Sequence, residues 1–272
     1  MNIIWRSHPA PSLSGTVRVP GDKSISHRAI MLGALADGTT HISGFLEGED
    51  CLATMRAFQA MGVAIERHGE GRVTVHGVGL HGLRAPTAPL DVGNSGTSMR
   101  LLAGVLAGQP FNSVLVGDSS LMKRPMRRVT EPLALMGAEI ATSEAGTAPL
   151  VIHGRTLHGI DYTLPVASAQ LKSALLLAGL FADGTTRVTE PGVSRDHSER
   201  MLRGFGVEIG KDGATLVIRG GQRLTACEVV VPGDVSSAAF FIVAALIARE
   251  GELLLENVGM NPTRAAVVEI LR

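Results

Sequence analysis

Several things are scarce in this sequence, and each scarcity excludes something. Two cysteines, Cys51 and Cys227, cannot build a disulfide framework and show no paired spacing of zinc ligands, so a reducing compartment is expected. The longest apolar runs, near Ala174 to Ala182 and Ala238 to Ala248, fall short of the roughly 18 residues that suggest a membrane span. Met1 to Pro20 contains Trp5 and Arg6 but no leader pattern, and the chain is expected to be mature and cytoplasmic. Charge of one sign is missing too. With 25 basic and 25 acidic side chains the balance is zero, which removes the broad basic footprint of a general nucleic-acid binder and requires any anion site to be local. Prolines number 13, the 33 glycines follow no strict period, and 45% of residues are apolar, so the chain is neither collagen-like nor disordered. Its 272 residues suffice for one or two globular domains.

Repetition is what the sequence does have. A Ser-led, Ala/Leu-rich helical stretch starts at Ser26, Ser98, Ser168 and Ser236, at intervals of 72, 70 and 68 residues. In the first three copies a strand follows, then a second amphipathic helix: Cys51 to Met61, Pro125 to Met136 and Ser198 to Phe205. Each of these helices ends at a glycine, Gly62, Gly137 or Gly206, suited to a left-handed C-cap, and hairpins are expected at Val63 to His76, Ala138 to His153 and Val207 to Arg219. The unit is βαβαββ and the fold class α/β (α+β). A fourth copy runs through a strand at Glu252 to Glu256 and enters its second helix near Pro262. Its closing glycine is due near 272 to 275, so the chain is expected to stop inside this repeat. Two Pro-Gly-Asp segments, Pro20 to Asp22 and Pro232 to Asp234, fit turn and N-cap chemistry, either as crossovers between domains or as structural turns.

Helix N-termini carry partial positive charge and favour acidic groups. Here cations stand there instead: Lys23 and Arg28 at the first helix, Arg100 after Asn94 to Ser98, Lys172 after Ser168 to Gln170, and Arg124, Arg127 and Arg128 around Pro125. An anion held by backbone N–H groups, serine hydroxyls and these side chains together would make sense of the pattern, which points to a phosphate or carboxylate site. Plainer readings stand beside it. Lys23 and Arg28 can pair with Asp22 and Asp37, the Gly93 to Gly96 loop can be a tight turn, and Arg100 and Lys172 fit structural roles better than ligand contacts. The histidines lack metal-ligand spacing, and Ser24 and Ser26 lack the partners of a nucleophilic triad.

Seven ordered motifs carry a resemblance: Pro20 to Arg28, Gly93 to Arg100, Lys123 to Met126, Ser168 to Ser173, Ser194 to His197, Pro232 to Ser237 and Asn261 to Arg264. They are similar to those of the EPSP synthases, the 3-phosphoshikimate 1-carboxyvinyltransferases of aromatic amino-acid biosynthesis. The resemblance implies two domains, each of three βαβαββ units. Residues 19–232 would form a three-repeat substrate-binding domain, with 1–18 and 233–272 as incomplete pieces of the second. Lys23 resembles the lysine that touches both substrates and compensates charge. Ser24 and Arg28 resemble shikimate 3-phosphate contacts, Ser168, Ala169 and Gln170 match a run beside the same substrate, and Arg195 matches the arginine facing its phosphate. Gly96 and Arg124, with Gln170 nearby, match the phosphoenolpyruvate side.

The implied reaction moves the enolpyruvyl group of phosphoenolpyruvate to the 5-hydroxyl of shikimate 3-phosphate and releases phosphate. It needs no metal or other cofactor. The family's motifs with the catalytic acid and base are missing, so the chain is expected to bind substrate without completing turnover. A monomeric parent is expected, with no nucleic-acid or membrane partner. Two other readings compete. A UDP-N-acetylglucosamine enolpyruvyl transferase resembles a cysteine-bearing loop before Arg-Pro, whereas Gly117 to Arg124 carries Ser119 and Ser120 and no cysteine. A phosphoester-binding module without chemistry is the alternative from another class.

Overall fold

The computed structural model describes Ile4, Arg6, His8 and residues 12–271, and the chain divides into two compact units. One is Lys23–Val231; the other combines Met1–Asp22 with Pro232–Arg272. Trp5 and the ends of the expected second-domain pieces, residues 1–3 and 272, lie outside the described residues.

In the larger unit three repeats follow one another. The first holds helix α1 (Lys23–Leu35), strand Ala36–Ser43, helix α2 (Glu49–Ala60) and the hairpin Ala64–Gly69/Arg72–Val78. The second has strand Leu90–Asp91, α3 (Gly96–Ala107), strand Asn112–Val116, α4 (Arg127–Leu135) and strands Glu139–Ala141 and Leu150–His153. The third has strand Asp161–Thr163, α5 (Ala169–Gly179), strand Thr185–Thr189, α6 (His197–Gly204) and the hairpin Ile209–Asp212/Thr215–Arg219. In the second and third repeats the entering strand pairs in parallel with the strand after the inner helix, and the two later strands extend that sheet antiparallel. The first repeat takes its entering strand from the far end of the unit. Leu224 pairs with Ala36 and Val229 with Ile42, both in parallel, so the returning chain closes the unit on itself.

Helices α1, α3 and α5 are apolar nearly all round and are buried along most of their length, as such helices must be. Together with Phe58, Phe205 and the inward faces of the sheets they form one continuous core. Close approach needs Gly104: a Cβ there would lie 2.3 Å from the carbonyl oxygen of Ala174 on α5. Behind the outer helices, Gly62, Gly137 and Gly206 adopt φ of 89°, 90° and 83°. That left-handed turn lets their N–H groups return to Gln59, Ala134 and Arg203 before each chain enters its hairpin strand.

The smaller unit pairs strand Gly15–Val17 in parallel with Leu253–Leu255 and carries helices α7 (Val235–Ile247) and α8 (Ala266–Ile270). Its two Pro-Gly-Asp segments bind each other. Asp22 N–H donates to the Pro232 carbonyl at 2.8 Å and Asp234 N–H to that of Pro20 at 2.9 Å.

Two sequence expectations need correction. The serines that align the repeats are not equivalent. Only Ser168 caps its helix, accepting the Leu171 N–H, while Ser95 and Asp234 cap α3 and α7, and α1 begins upstream of Ser26. The last helix begins at Ala266, because the Asn261 carbonyl accepts the N–H groups of Arg264 and Ala265 and holds 262–265 as turns. Among the described residues no helix is long and apolar enough to cross a membrane.

Candidate functional site

Hydrogen bonds between side chains tie the N-terminal turns of α1, α3 and α5 to one another. On α1, His27 Nδ1 shares a 2.8 Å bond with Thr54 Oγ1 of α2, whose hydroxyl lies 2.6 Å from Ser98 Oγ of α3. Gln170 of α5 donates from Nε2 to Thr97 Oγ1 of α3 at 3.0 Å. Arg28 of α1 donates from Nη2 to Ser173 Oγ of α5 at 2.8 Å. None of the three helices has an acidic residue in its own first turn, where the partial positive charge of the helix lies.

Gly96 opens α3 beside the densest group of cations. Arg100, buried, donates from Nη1 to Gln170 Oε1 at 2.7 Å, and its Nε has no hydrogen-bond partner. Burial first, and then the charges of Arg128 and Arg124, lower its pKa to about 10. Arg124 donates to Asn94 Oδ1, and Asn94 donates in turn to Asp118 Oδ2 at 2.7 Å. That bond, followed by the Leu121 N–H, holds Asp118 below the usual carboxylate range. No ion pair joins Arg100, Arg124 or Arg128 to a carboxylate among the described residues. Arg100 is buried, Arg124 half-buried and Arg128 exposed, and guanidiniums gathered at a helix start with no direct ion pair are suited to an anion.

A second group surrounds Arg28. Its Nε donates to Ser198 Oγ of α6 at 2.7 Å and its Nη1 to the Ser24 carbonyl at 2.9 Å. Ser198 Oγ also donates to Ser173 Oγ at 2.7 Å, so one arginine joins three helices. Lys23, half-exposed in the first turn of α1, lies 3.1 Å from Asp50. Ser168 and Ala169 begin the helix that carries both Gln170 and Ser173. Arg195 is exposed on the segment that enters α6, next to its N-cap Asp196.

Five of the expected site residues fall into two groups on the larger unit, while Lys23 and Arg195 stand apart from both by the contacts described, and Ser168 and Ala169 open α5. Gly96, Arg124 and Gln170 meet around Arg100, Ser24 and Arg28 meet around Ser173 and Ser198, and α5 belongs to both. The expected pairing with Asp37 needs correction, since Asp37 takes Arg223 at 2.9 Å, while Lys23 meets Asp50 and Arg28 bonds serines. Lys172 is held between Glu190 and Glu199, away from solvent. Thr54 and Asp118 were not named from the sequence, and Ser173 and Ser198 appeared only as the end of a motif and the start of a helix, without a role in the site. Arg128 belongs to the cations expected around Pro125, and its charge is one of those that lower the Arg100 pKa. His27 is buried, and its pKa is lowered to about 3, chiefly by burial and then by Arg28, so it is neutral at pH 7.

Three βαβαββ repeats gathered around cation-rich helix starts define an α/β protein of the enolpyruvyl transferase type. The chain belongs to the EPSP synthase family, 3-phosphoshikimate 1-carboxyvinyltransferase, whose family model matches residues 8–272. It is 67% identical over 269 residues to the 3-phosphoshikimate 1-carboxyvinyltransferase of Halorhodospira halophila, covering 98% of this chain and 61% of that protein. It is 61% identical to that of Methylococcus capsulatus, covering 100% and 62%. The solved EPSP synthase of Acinetobacter baumannii superposes with a TM-score of 0.91 at 57% identity, over 95% of this chain and 59% of that one. The chain therefore spans about three fifths of the length of the curated relatives it matches.

Proposed function

We propose that the Lys23–Val231 unit, as a three-repeat substrate domain, holds shikimate 3-phosphate and phosphoenolpyruvate for transfer of the enolpyruvyl group to the 5-hydroxyl, with release of phosphate. The observation that carries this reading is that side-chain hydrogen bonds link the starts of α1, α3 and α5, with Arg100 and Arg124, neither of them ion-paired, beside the start of α3. Two phosphates and a carboxylate held close together repel one another. Preorganised cations in a site that excludes water offset this better than solvent does. Gly96, Arg124 and Gln170 serve the phosphoenolpyruvate side. Ser24, Arg28, Ser168, Ala169 and Arg195 serve shikimate 3-phosphate, and Lys23 lies between the two.

The reaction also needs a proton delivered to the vinyl carbon and one removed from the hydroxyl. Beside the cluster, His27 is held neutral, Lys172 is tied to two glutamates, and Lys23, beside Asp50, is assigned to charge compensation. The residues of this chain are accordingly assigned to binding and orientation, with the proton transfers supplied by a part of the family's architecture that they do not include. The test is calorimetric titration of the chain with shikimate 3-phosphate, together with an assay of phosphate release from phosphoenolpyruvate. Binding without turnover is expected. Turnover by the 272 residues alone would place the acid and base within them and overturn this division of labour.

A further inference from the structure

Behind the serines that hold Arg28 lies a buried charge cluster to which the reaction assigns no role. Lys172 Nζ on α5 stands 2.7 Å from Glu190 Oε2 and 2.7 Å from Glu199 Oε1, with the three side chains 1%, 13% and 5% exposed. Glu190 follows the strand Thr185–Thr189, and Glu199 sits in the first turn of α6. The remaining oxygen of Glu190 accepts a hydrogen bond from Ser194 Oγ, and Glu199 Oε2 has no hydrogen-bond partner. Desolvation offsets most of the attraction in such a cluster, and an apolar side chain at 172 would serve packing as well. Charges and their hydrogen bonds provide direction instead.

We infer that Lys172, Glu190 and Glu199 form a clasp that positions Arg195 and Arg28 for the phosphate of the ligand. The inference rests on the reading above, in which Arg195 meets the phosphate of shikimate 3-phosphate. Two features support it. Residues 191–195, which lead into α6, form no helix or strand. Ser194, which bonds Glu190, is the chain neighbour of Arg195, so Glu190 links the buried lysine to the exposed arginine. The Lys172–Glu199 ion pair is also the next rung to the Ser173–Ser198 bond between α5 and α6, and both of those serines accept from Arg28. A shift of α6 against α5 would move the supports of both arginines at once. The three clasp residues are positioning residues and need not touch the ligand.

The test compares shikimate 3-phosphate with shikimate, which lacks the phosphate, by calorimetric titration of the 272-residue chain and its variants, with thermal melts alongside. Ser194→Ala should weaken shikimate 3-phosphate by roughly three- to tenfold, the scale of one lost hydrogen bond, with shikimate within about twofold of the parent. Glu190→Gln should go further in the same direction. Arg195→Ala sets the largest loss, and adding Ser194→Ala to it should change nothing more. If Glu190→Gln fails to fold, Ser194→Ala decides, because it removes only a loop hydroxyl. Equal loss of both ligands, or an unchanged ratio in Ser194→Ala while Arg195→Ala lowers it, overturns the clasp. A parent chain that does not distinguish the two ligands, or an Arg195→Ala variant with the parent's ratio, overturns the underlying reading instead.

Discussion

Gly96 stands so close to Arg100 that a Cβ built on it would lie 2.8 Å from the Arg100 Nη1 and 3.2 Å from that of Arg124. The glycine is needed for space and not for an unusual backbone angle, since its φ is not among the positive ones. A methyl group would therefore act on the two guanidiniums to which the proposed function assigns the anion, as well as on the ligand itself.

Gly96→Ala is expected to weaken phosphoenolpyruvate binding by about tenfold, the loss of roughly one charge-assisted contact. The melting temperature should hardly move, because both clashing atoms are the far ends of flexible side chains. Calorimetry in the presence of shikimate 3-phosphate checks this, and an unchanged dissociation constant would remove Gly96 from the site.

Lys23→Met should separate stability from binding. The ion pair with Asp50 is half-exposed on the lysine side, where such pairs contribute at most about 1 kcal/mol, so unfolding should change little. A charge-assisted contact to ligand is worth about 1.5 to 3 kcal/mol, and affinity for shikimate 3-phosphate should fall by more than tenfold. Affinity within twofold of the parent would show that Lys23 does not face the ligand.

The low pKa of His27 makes stability depend on pH. Its folded value, about 3, lies below the ordinary 6.5, so the unfolded chain binds the extra proton. The stabilising difference is fully present above pH 6.5 and is lost as pH falls toward 3. The slope between these limits is about 1.4 kcal/mol per pH unit for one proton. Denaturant unfolding at pH 7, 6 and 5 should show this component in the parent and its loss in His27→Gln, whatever the variant's stability at pH 7. Parallel pH profiles for the two proteins would mean that His27 is protonated in the fold.

Helix α7 leaves Phe240 80% and Ile247 79% exposed. Covering apolar surface yields about 25 cal/mol per Å², so the chain should self-associate as its concentration rises. Sedimentation equilibrium should give an apparent mass that climbs with concentration for the parent and stays constant for Phe240→Glu combined with Ile247→Glu. A parent that remains monomeric at high concentration would contradict this.

Periodicity and punctuation made the repeats legible. Gly62, Gly137 and Gly206 mark the turns into hairpins because few other residues accept a positive φ, and the inner helices stand out by their unbroken apolar runs. Local chemistry also pointed to cations at helix starts. Pairings across the chain were not legible. Arg28 finds Ser198 across 170 residues and Lys172 finds Glu190 across 18, and neither distance leaves a trace in sequence spacing. The closure of the first sheet by Leu224–Thr225 and Glu228–Val230 was hidden for the same reason: a parallel partner can come from anywhere in the chain. Aligning the repeats on serines set the starts of α1, α3 and α7 a few residues late, whereas the N-cap chemistry read from Pro232 to Asp234 is found at Asp234.

The most direct test of the account is titration of the chain with shikimate 3-phosphate, with shikimate as the control and inorganic phosphate as competitor. If the first turns of α1, α3 and α5 and their arginines form an anion site, shikimate 3-phosphate binds one to one, at least about tenfold more tightly than shikimate, and phosphate competes with it. Equal affinity for shikimate 3-phosphate and shikimate, with no competition by phosphate, would contradict the account.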